Sequence, residues 1–407
     1  MKLDFLSEAN TLKEYAVALR RKLHSVPGVG FDIQPALHIV SNALKEIGIE
    51  PIPCGKAGLT AVIHGKKPGK TFLLRADMDA LPIQEKSGEP FASENGCMHA
   101  CGHDMHTAML LGAAKLLKAH EEELSGTVKL MFQPAEEVFE GANDMIKNGV
   151  LEDPKPDAAM MIHVMTGVPF AVGTAVVSGP GESAPAADYF TVKVQGSGCH
   201  GSTPSAGVDP LCAAAHIVTA LEEISARELA MTDRAILTFG TFHAGTTANV
   251  IPDTATLTGT LRVFDEALRE QIKERICTIP KCVAEAFRAK AEVTFDSGCP
   301  ALLNDTSLSD DVTEYMKALL GENKAFSVPE LEQKFGSSGS KTSGSEDFAY
   351  VSRKVPSVMV AMAAGHPKDG CTYPLHHPQV RFDEAALPYG AAAYAAAAYS
   401  WLSQHTN

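Results

Sequence analysis

The chain has 407 residues, 45% hydrophobic and 21% charged, with a net charge of −14. That length predicts more than one core in a globular protein of ordinary composition. The acidic balance argues against nucleic acid or an anionic membrane as partner, and no apolar run is long enough to span a bilayer. The start, Met1-Lys2-Leu3-Asp4-Phe5, does not read as a signal peptide. Nine scattered cysteines, an odd number, suit reduced thiols of a cytoplasmic protein better than a disulfide framework.

In chain order, apolar spacing predicts helices over 12–23 and 36–47, the second ended by Gly48. Strands follow at 59–63 and 72–75, a helix at 107–118, a strand at 127–132, a helix at 142–147 and a strand at 158–162. This alternation predicts an α/β domain around a mostly parallel sheet. A Gly/Pro/Ser stretch over 178–185 marks a candidate hinge. Beyond it come a strand at 189–194, a helix at 210–224, strands at 235–242 and 254–263, a helix at 266–288 and a strand at 291–295. That β-α-β-β-α-β order is the ferredoxin-like unit, an α+β domain. A helix at 308–320, a strand at 357–361 and an Ala-rich helix at 384–402 return the chain to the first domain, and 336–341 is a flexible loop by composition. The expected organisation is a discontinuous catalytic domain, 1–184 and 300–407, with a small domain inserted at 185–299.

The chemistry concentrates in Met98 to His106, where one thiol, three imidazoles and a carboxylate share a turn before a helix. Thiolate and imidazole suit transition metals. Cys101 and His103, two apart, can reach one cation or a close pair. Glu136 and Glu137 follow a strand, where one carboxylate can bind metal while the other takes a proton from water. His163 stands at the end of an apolar run, an edge where open α/β sheets place their sites. Either His376 or His377 could add a ligand; spacing does not choose. Asp77 and Asp79 close another strand, either as carboxylates orienting a ligand imidazole or as turn and cap residues. In the inserted unit a Gly-rich turn presents His200, an imidazole suited to an oxyanion. Asn249 and Arg262 are polar candidates for substrate binding, although each taken singly reads as a surface residue.

Eight strings carry a resemblance: LRADMDALP (74–82), HACGHDMH (99–106), QPAEE (133–137), IHV (162–164), CHGSTP (199–204), NVIP (249–252), GSEDF (344–348) and LHHP (375–378). In this order they resemble the binuclear metallopeptidase family of aminoacylases, hippurate hydrolases, bacterial carboxypeptidases and auxin–amino-acid conjugate hydrolases. The resemblance implies Cys101, His103, Glu137, His163 and His376 as ligands of two divalent ions (zinc, manganese or cobalt). It implies Glu136 as general base and acid, and His200 and Asn249 as groups that bind substrate or the oxyanion. His376 is preferred over His377 by the family's His-x-Pro pattern. The inserted domain is implied to be a lid that also mediates a homodimer or homotetramer, with the imidazole coming in relatives from the partner chain. Val138-Phe139 depart from the family, where Gly is frequent. The expected reaction is hydrolysis of an N-acyl amino acid, with a dipeptidase or carboxypeptidase acting on short peptides as the alternative, and Arg262 as a binder of the substrate carboxylate.

Overall fold

The computed structural model describes residues 3–335 and 344–406. The expected loop at 336–341 lies outside the described residues. By internal contacts the chain divides into two units. One comprises residues up to Ser183, the segment beginning at Leu302, and Asp347 onwards; the other comprises Ala184–Ala301 with a short stretch ending at Glu346.

The first unit is built on an eight-stranded sheet in the order Ile52–Cys54, Gly58–His64, Ser125–Gln133, Lys67–Asp77, Ala158–Met165, Ser357–Ala363, Ala175–Val177 and Ala325–Ser327. Its four central strands run parallel, and antiparallel pairings appear toward both edges. The central strands are apolar runs without strict alternation, as expected where helices cover both faces. Helix His103–Ala119 is buried along most of its length and packs on the Ala-rich helix Leu387–Gln404. Two glycines permit that approach: a Cβ at Gly112 would lie 2.9 Å from Ala391 Cβ, and one at Gly390 would lie 2.2 Å from Met109 Sδ.

The second unit is a four-stranded antiparallel sheet in the order Ala235–Ala244, Thr254–Val263, Ala186–Gln195 and Lys290–Cys299. Helices Pro210–Glu223 and Glu266–Ala286 pack on it around a core that includes Phe190, Ile217, Leu257 and Ile276. This is the expected ferredoxin-like arrangement.

Some elements differ from expectation. Gly181–Ala184, inside the candidate hinge, is a strand paired with Leu302–Asn304. The strand containing His163 continues to Met165, since Val164 remains fully buried. Helix Phe5–Thr11 and the three-residue strands Ile52–Cys54, Ala175–Val177 and Ala325–Ser327 were not anticipated, being too short to carry a periodicity.

Candidate metal centre and active site

The parallel strands deliver their C-terminal ends to one edge of the sheet. Asp77 is the last residue of its strand, Glu136 and Glu137 lie just past the neighbouring strand, and His163 is near the end of the third. Gly102, at φ 86°, turns the chain into helix His103–Ala119. A side chain there would be strained by the backbone and would collide with Val164 Cγ2 at 2.4 Å. Cys101 and His103 thereby flank a tight turn at that same edge.

The five expected ligands converge. Cys101 Sγ lies 3.5 Å from His163 Nε2 and 3.3 Å from His376 Nε2. His376 Nε2 is 3.4 Å from Glu137 Oε1, and His103 Nε2 is 3.8 Å from that same oxygen. Donor atoms of Cys101, His103 and His163 lie within 4.8 Å of one another, as do those of Cys101, Glu137 and His376. The thiol therefore belongs to both sets.

Hydrogen bonds set which ring nitrogen faces the centre. His103 Nδ1 donates to the Asp79 carbonyl at 2.9 Å, and His163 Nδ1 donates to the Val164 carbonyl at 2.8 Å. Each Nε2 is left facing inward, the usual support for a metal-binding imidazole. Burial opposes charging of His103, but Asp77 holds its pKa well above the usual imidazole range. His103 Nε2 and Glu137 Oε1 are buried and have no hydrogen-bond partner among the described residues. Such orphaned donor atoms are costly unless a cation satisfies them. A set of sulfur, nitrogen and oxygen donors with two buried orphans fits divalent metal. His376 is held at φ 65°, with its amide donating to the Ala100 carbonyl at 2.9 Å.

His377 turns elsewhere: its Nδ1 accepts the Gln379 amide and its ring stacks on Tyr373. His106, in the same nine-residue stretch, uses both nitrogens. Nδ1 donates to Asp77 Oδ1 at 2.6 Å, while Nε2 accepts the Val164 amide at 2.8 Å. It is a neutral imidazole with no lone pair left for metal; burial pushes its pKa down to about 4 against the pull of Asp77.

Both aspartates are fully buried and act on the site from behind. The Asp79 carboxylate accepts the amides of Glu136 and Glu137 at 3.0 and 3.2 Å. Asp77 accepts from His106 and, at 2.7 Å, from Arg75 Nη1. Burial would raise the Asp77 pKa, but His103, Arg75 and His106 hold it well below the usual carboxylate range. Glu137 moves the other way, pushed by burial up to about 7 although His103 opposes the shift. Burial, then Glu137, push the Cys101 thiol up as well. The Glu pair sits on a turn bracketed by Ala135 at φ 54° and Phe139 at φ 58°. Left-handed backbone costs a non-glycine residue roughly 1–2 kcal/mol.

Sequence reasoning singled out the GSEDF string at 344–348 but gave its Asp347 no role. Asp347 accepts from Gln133 Nε2 at 2.6 Å, from Arg75 Nη2 at 3.2 Å and from the Ala142 amide at 2.9 Å. A chain of contacts thus runs from Asp347 through Arg75 and Asp77 to His106. The available signal was Arg75, a charge within an apolar strand, which requires a buried partner.

In the second unit His200 and Asn249 are brought together. His200 pairs with Val250, and Gly201 donates to the Asn249 carbonyl at 2.8 Å. His200 Nδ1 accepts the Ser202 amide at 3.1 Å, which places the proton of a neutral ring on Nε2. Arg262 is not brought to this turn. It lies near the far end of strand Thr254–Val263, bonded to Ser345 Oγ at 2.7 Å and Tyr189 Oη at 3.1 Å.

The profile of Peptidase family M20/M25/M40 matches residues 73–400. The chain is 37% identical over 380 residues to N-acetyl-L-cysteine deacetylase of Bacillus subtilis, covering 93% of this chain and 86% of that protein. It is 35% identical over 396 residues to thermostable carboxypeptidase 2 of Saccharolobus solfataricus, covering 96% of each. Among solved structures, a Bacillus subtilis protein described as a dinuclear metal binding peptidase of the M20 family is 32% identical. It aligns at a TM-score of 0.78 over 97% of this chain and 99% of that one.

Proposed function

The chain belongs to peptidase family M20/M25/M40, and we propose that it hydrolyses the amide bond of N-acyl amino acids, releasing a free amino acid and a carboxylic acid. Membership makes it a metal-dependent hydrolase. The observation that carries the hydrolytic reading is Cys101 shared between two donor sets, with the Glu136 carboxylate 4.0 Å from His103 Nε2. The deacetylase relative supports an N-acyl substrate.

Cys101, His103 and His163 would hold one divalent ion, and Cys101, Glu137 and His376 a second. Zinc, manganese and cobalt all suit this donor set. When bound, such a pair polarises the carbonyl and lowers the pKa of water. Glu136 takes the proton of the attacking water and later delivers it to the leaving amine. Asp79 positions Glu136 through its backbone amide, and Asp77 and His106 buttress the turn. His200 and Asn249 present Nε2–H and a carboxamide to substrate or oxyanion, and Arg262 binds the substrate carboxylate.

The distance along one strand bears on assembly. The His200–Asn249 turn joins the Thr254 end, where Gly198 donates to Asp253 Oδ1. At about 3.3 Å per residue, Arg262 lies roughly 25 Å further along. One N-acyl amino acid cannot touch both. If both serve substrate, one comes from a second copy, which supports a homodimer in which the second unit doubles as lid and interface.

The test is release of free amino acid from N-acetyl amino acids by apo-protein with zinc, manganese or cobalt restored. Metal-dependent turnover lost in Glu136→Gln sustains the reading. A second reading, carboxypeptidase or dipeptidase, is favoured by the carboxypeptidase relative. Turnover of free dipeptides in preference to N-acetyl amino acids would select it.

A further inference from the structure

Strand Lys67–Asp77 pairs with strand Ala158–Met165 from Phe72 opposite Ala158 to Arg75 opposite Met161, and the pairing stops there. Both strands run on. Asp77 still pairs with Gln133 on one side, and His163 with Ala361 on the other. A gap therefore opens in the middle of the sheet, at the edge where the donor cluster sits.

Two side chains span it. The Tyr394 hydroxyl, from helix Leu387–Gln404, donates to the Arg75 carbonyl at 2.7 Å and accepts the Ile162 amide at 2.9 Å. Those are the groups that a continuing parallel ladder would pair directly. Further along, His106 joins Asp77 to the Val164 amide. The amides on either side of His163 are thus held by side chains and not by the strand across the gap. His163 itself directs Nε2 at Cys101 Sγ, 3.5 Å away.

The hydroxyl puts two hydrogen bonds in series where a ladder has one of about 2.9 Å. Tyr394 is fully buried, so no solvent can replace its oxygen. Without it the Arg75 carbonyl and Ile162 amide would stay unpaired, which is costly, or would close on each other. Closure would move the segment carrying His163 by on the order of 1 Å, whereas metal–ligand distances hold to about 0.2 Å.

We propose that Tyr394 is a positioning residue: its hydroxyl wedges the two strands apart and so sets the reach of His163 toward the ion it would share with Cys101 and His103. This rests on the metal assignment in the hydrolase reading above. Tyr394→Phe deletes one oxygen and keeps the buried ring. Calorimetric titration of apo-protein with manganese should show two ions in the wild type. In the variant one of them should bind about ten- to a hundredfold more weakly, the range for a ligand that has lost its support. The other should keep its affinity, because Glu137 and His376 lie on other segments. Tyr315→Phe is the control. Its hydroxyl donates to Gln404 Oε1 at 2.6 Å from a helix that carries no ligand, so both affinities should stay as in wild type. Unchanged affinities in Tyr394→Phe, an equal fall at both ions, or the same fall in Tyr315→Phe overturn the proposal. Should Tyr394→Phe fail to fold, Tyr394→Met, a flexible gap-filler without the hydroxyl, is read the same way. Turnover tests the hydrolase reading separately: a wild type that binds two ions but releases no amino acid loses that reading, while the titration still decides the wedge. A wild type that binds fewer than two ions overturns both.

Discussion

Replacing Asp79 by Ala removes one carboxylate that holds two amides. Both oxygens are buried and accept from Glu136 and Glu137 at 3.0 and 3.2 Å. Hydrogen bonds to a charged group are each worth about 1.5–3 kcal/mol, so the gross loss is about 3–6 kcal/mol. Relief of the carboxylate's own burial returns part of that, leaving a net destabilisation of about 2–4 kcal/mol. A turn Asp with only a capping role would cost about 1 kcal/mol. The effect on rate should be larger than on fold, because a displacement of about 1 Å at the base costs about a hundredfold. Urea unfolding of chelator-treated protein gives the stability change without metal, and kcat on an N-acetyl amino acid with metal restored gives the rate. A loss of about 1 kcal/mol or less together with kcat within about threefold of wild type would refute the role assigned to Asp79.

Removal of metal by a chelator should lower the unfolding temperature by several degrees, because His103 Nε2 and Glu137 Oε1 lose the cation that satisfies them; scanning calorimetry with and without manganese checks this. His24 is buried between Asp104 and Glu85 at 2.9 and 3.0 Å. Burial lowers its pKa, but the two carboxylates prevail and raise it to about 9. Its folded value thus exceeds the unfolded one of about 6.5, so its contribution of about 3 kcal/mol is complete below pH 6.5 and lost as pH rises through 9. His24→Gln should flatten the pH dependence of the urea midpoint across that window; parallel curves for variant and wild type would count against it. Gly112→Val forces a side chain into the contact with Ala391 and should cost about 1–3 kcal/mol, measured by urea unfolding.

What was legible in the sequence, and what was not, follows from how each residue is used. Thiol, imidazole and carboxylate side chains crowd onto turns beside apolar strands, so Cys101, His103, the Glu136–Glu137 pair and His163 stood out in the sequence as candidates, and the choice of Glu137 as a ligand came from the family resemblance. The long elements were visible because their periodicity spans several turns or a whole strand. His106 had the same local signature as His103, yet its two nitrogens are consumed by Asp77 and the Val164 amide. Only tertiary contact separates a ligand imidazole from a buttress. The role of Asp347 was illegible for a similar reason. It lies 272 residues from Arg75, and nothing local announces that its carboxylate meets a guanidinium and a carboxamide from two neighbouring strands. Spacing alone did not choose between His376 and His377; the family's His-x-Pro pattern preferred His376, and the two rings point apart, one toward Cys101 and the other onto Tyr373. Ligand chemistry is written locally because metals demand particular side chains. The groups that orient those ligands are written in the fold, since a buried carboxylate needs only some donor within reach, supplied by any element that packs there.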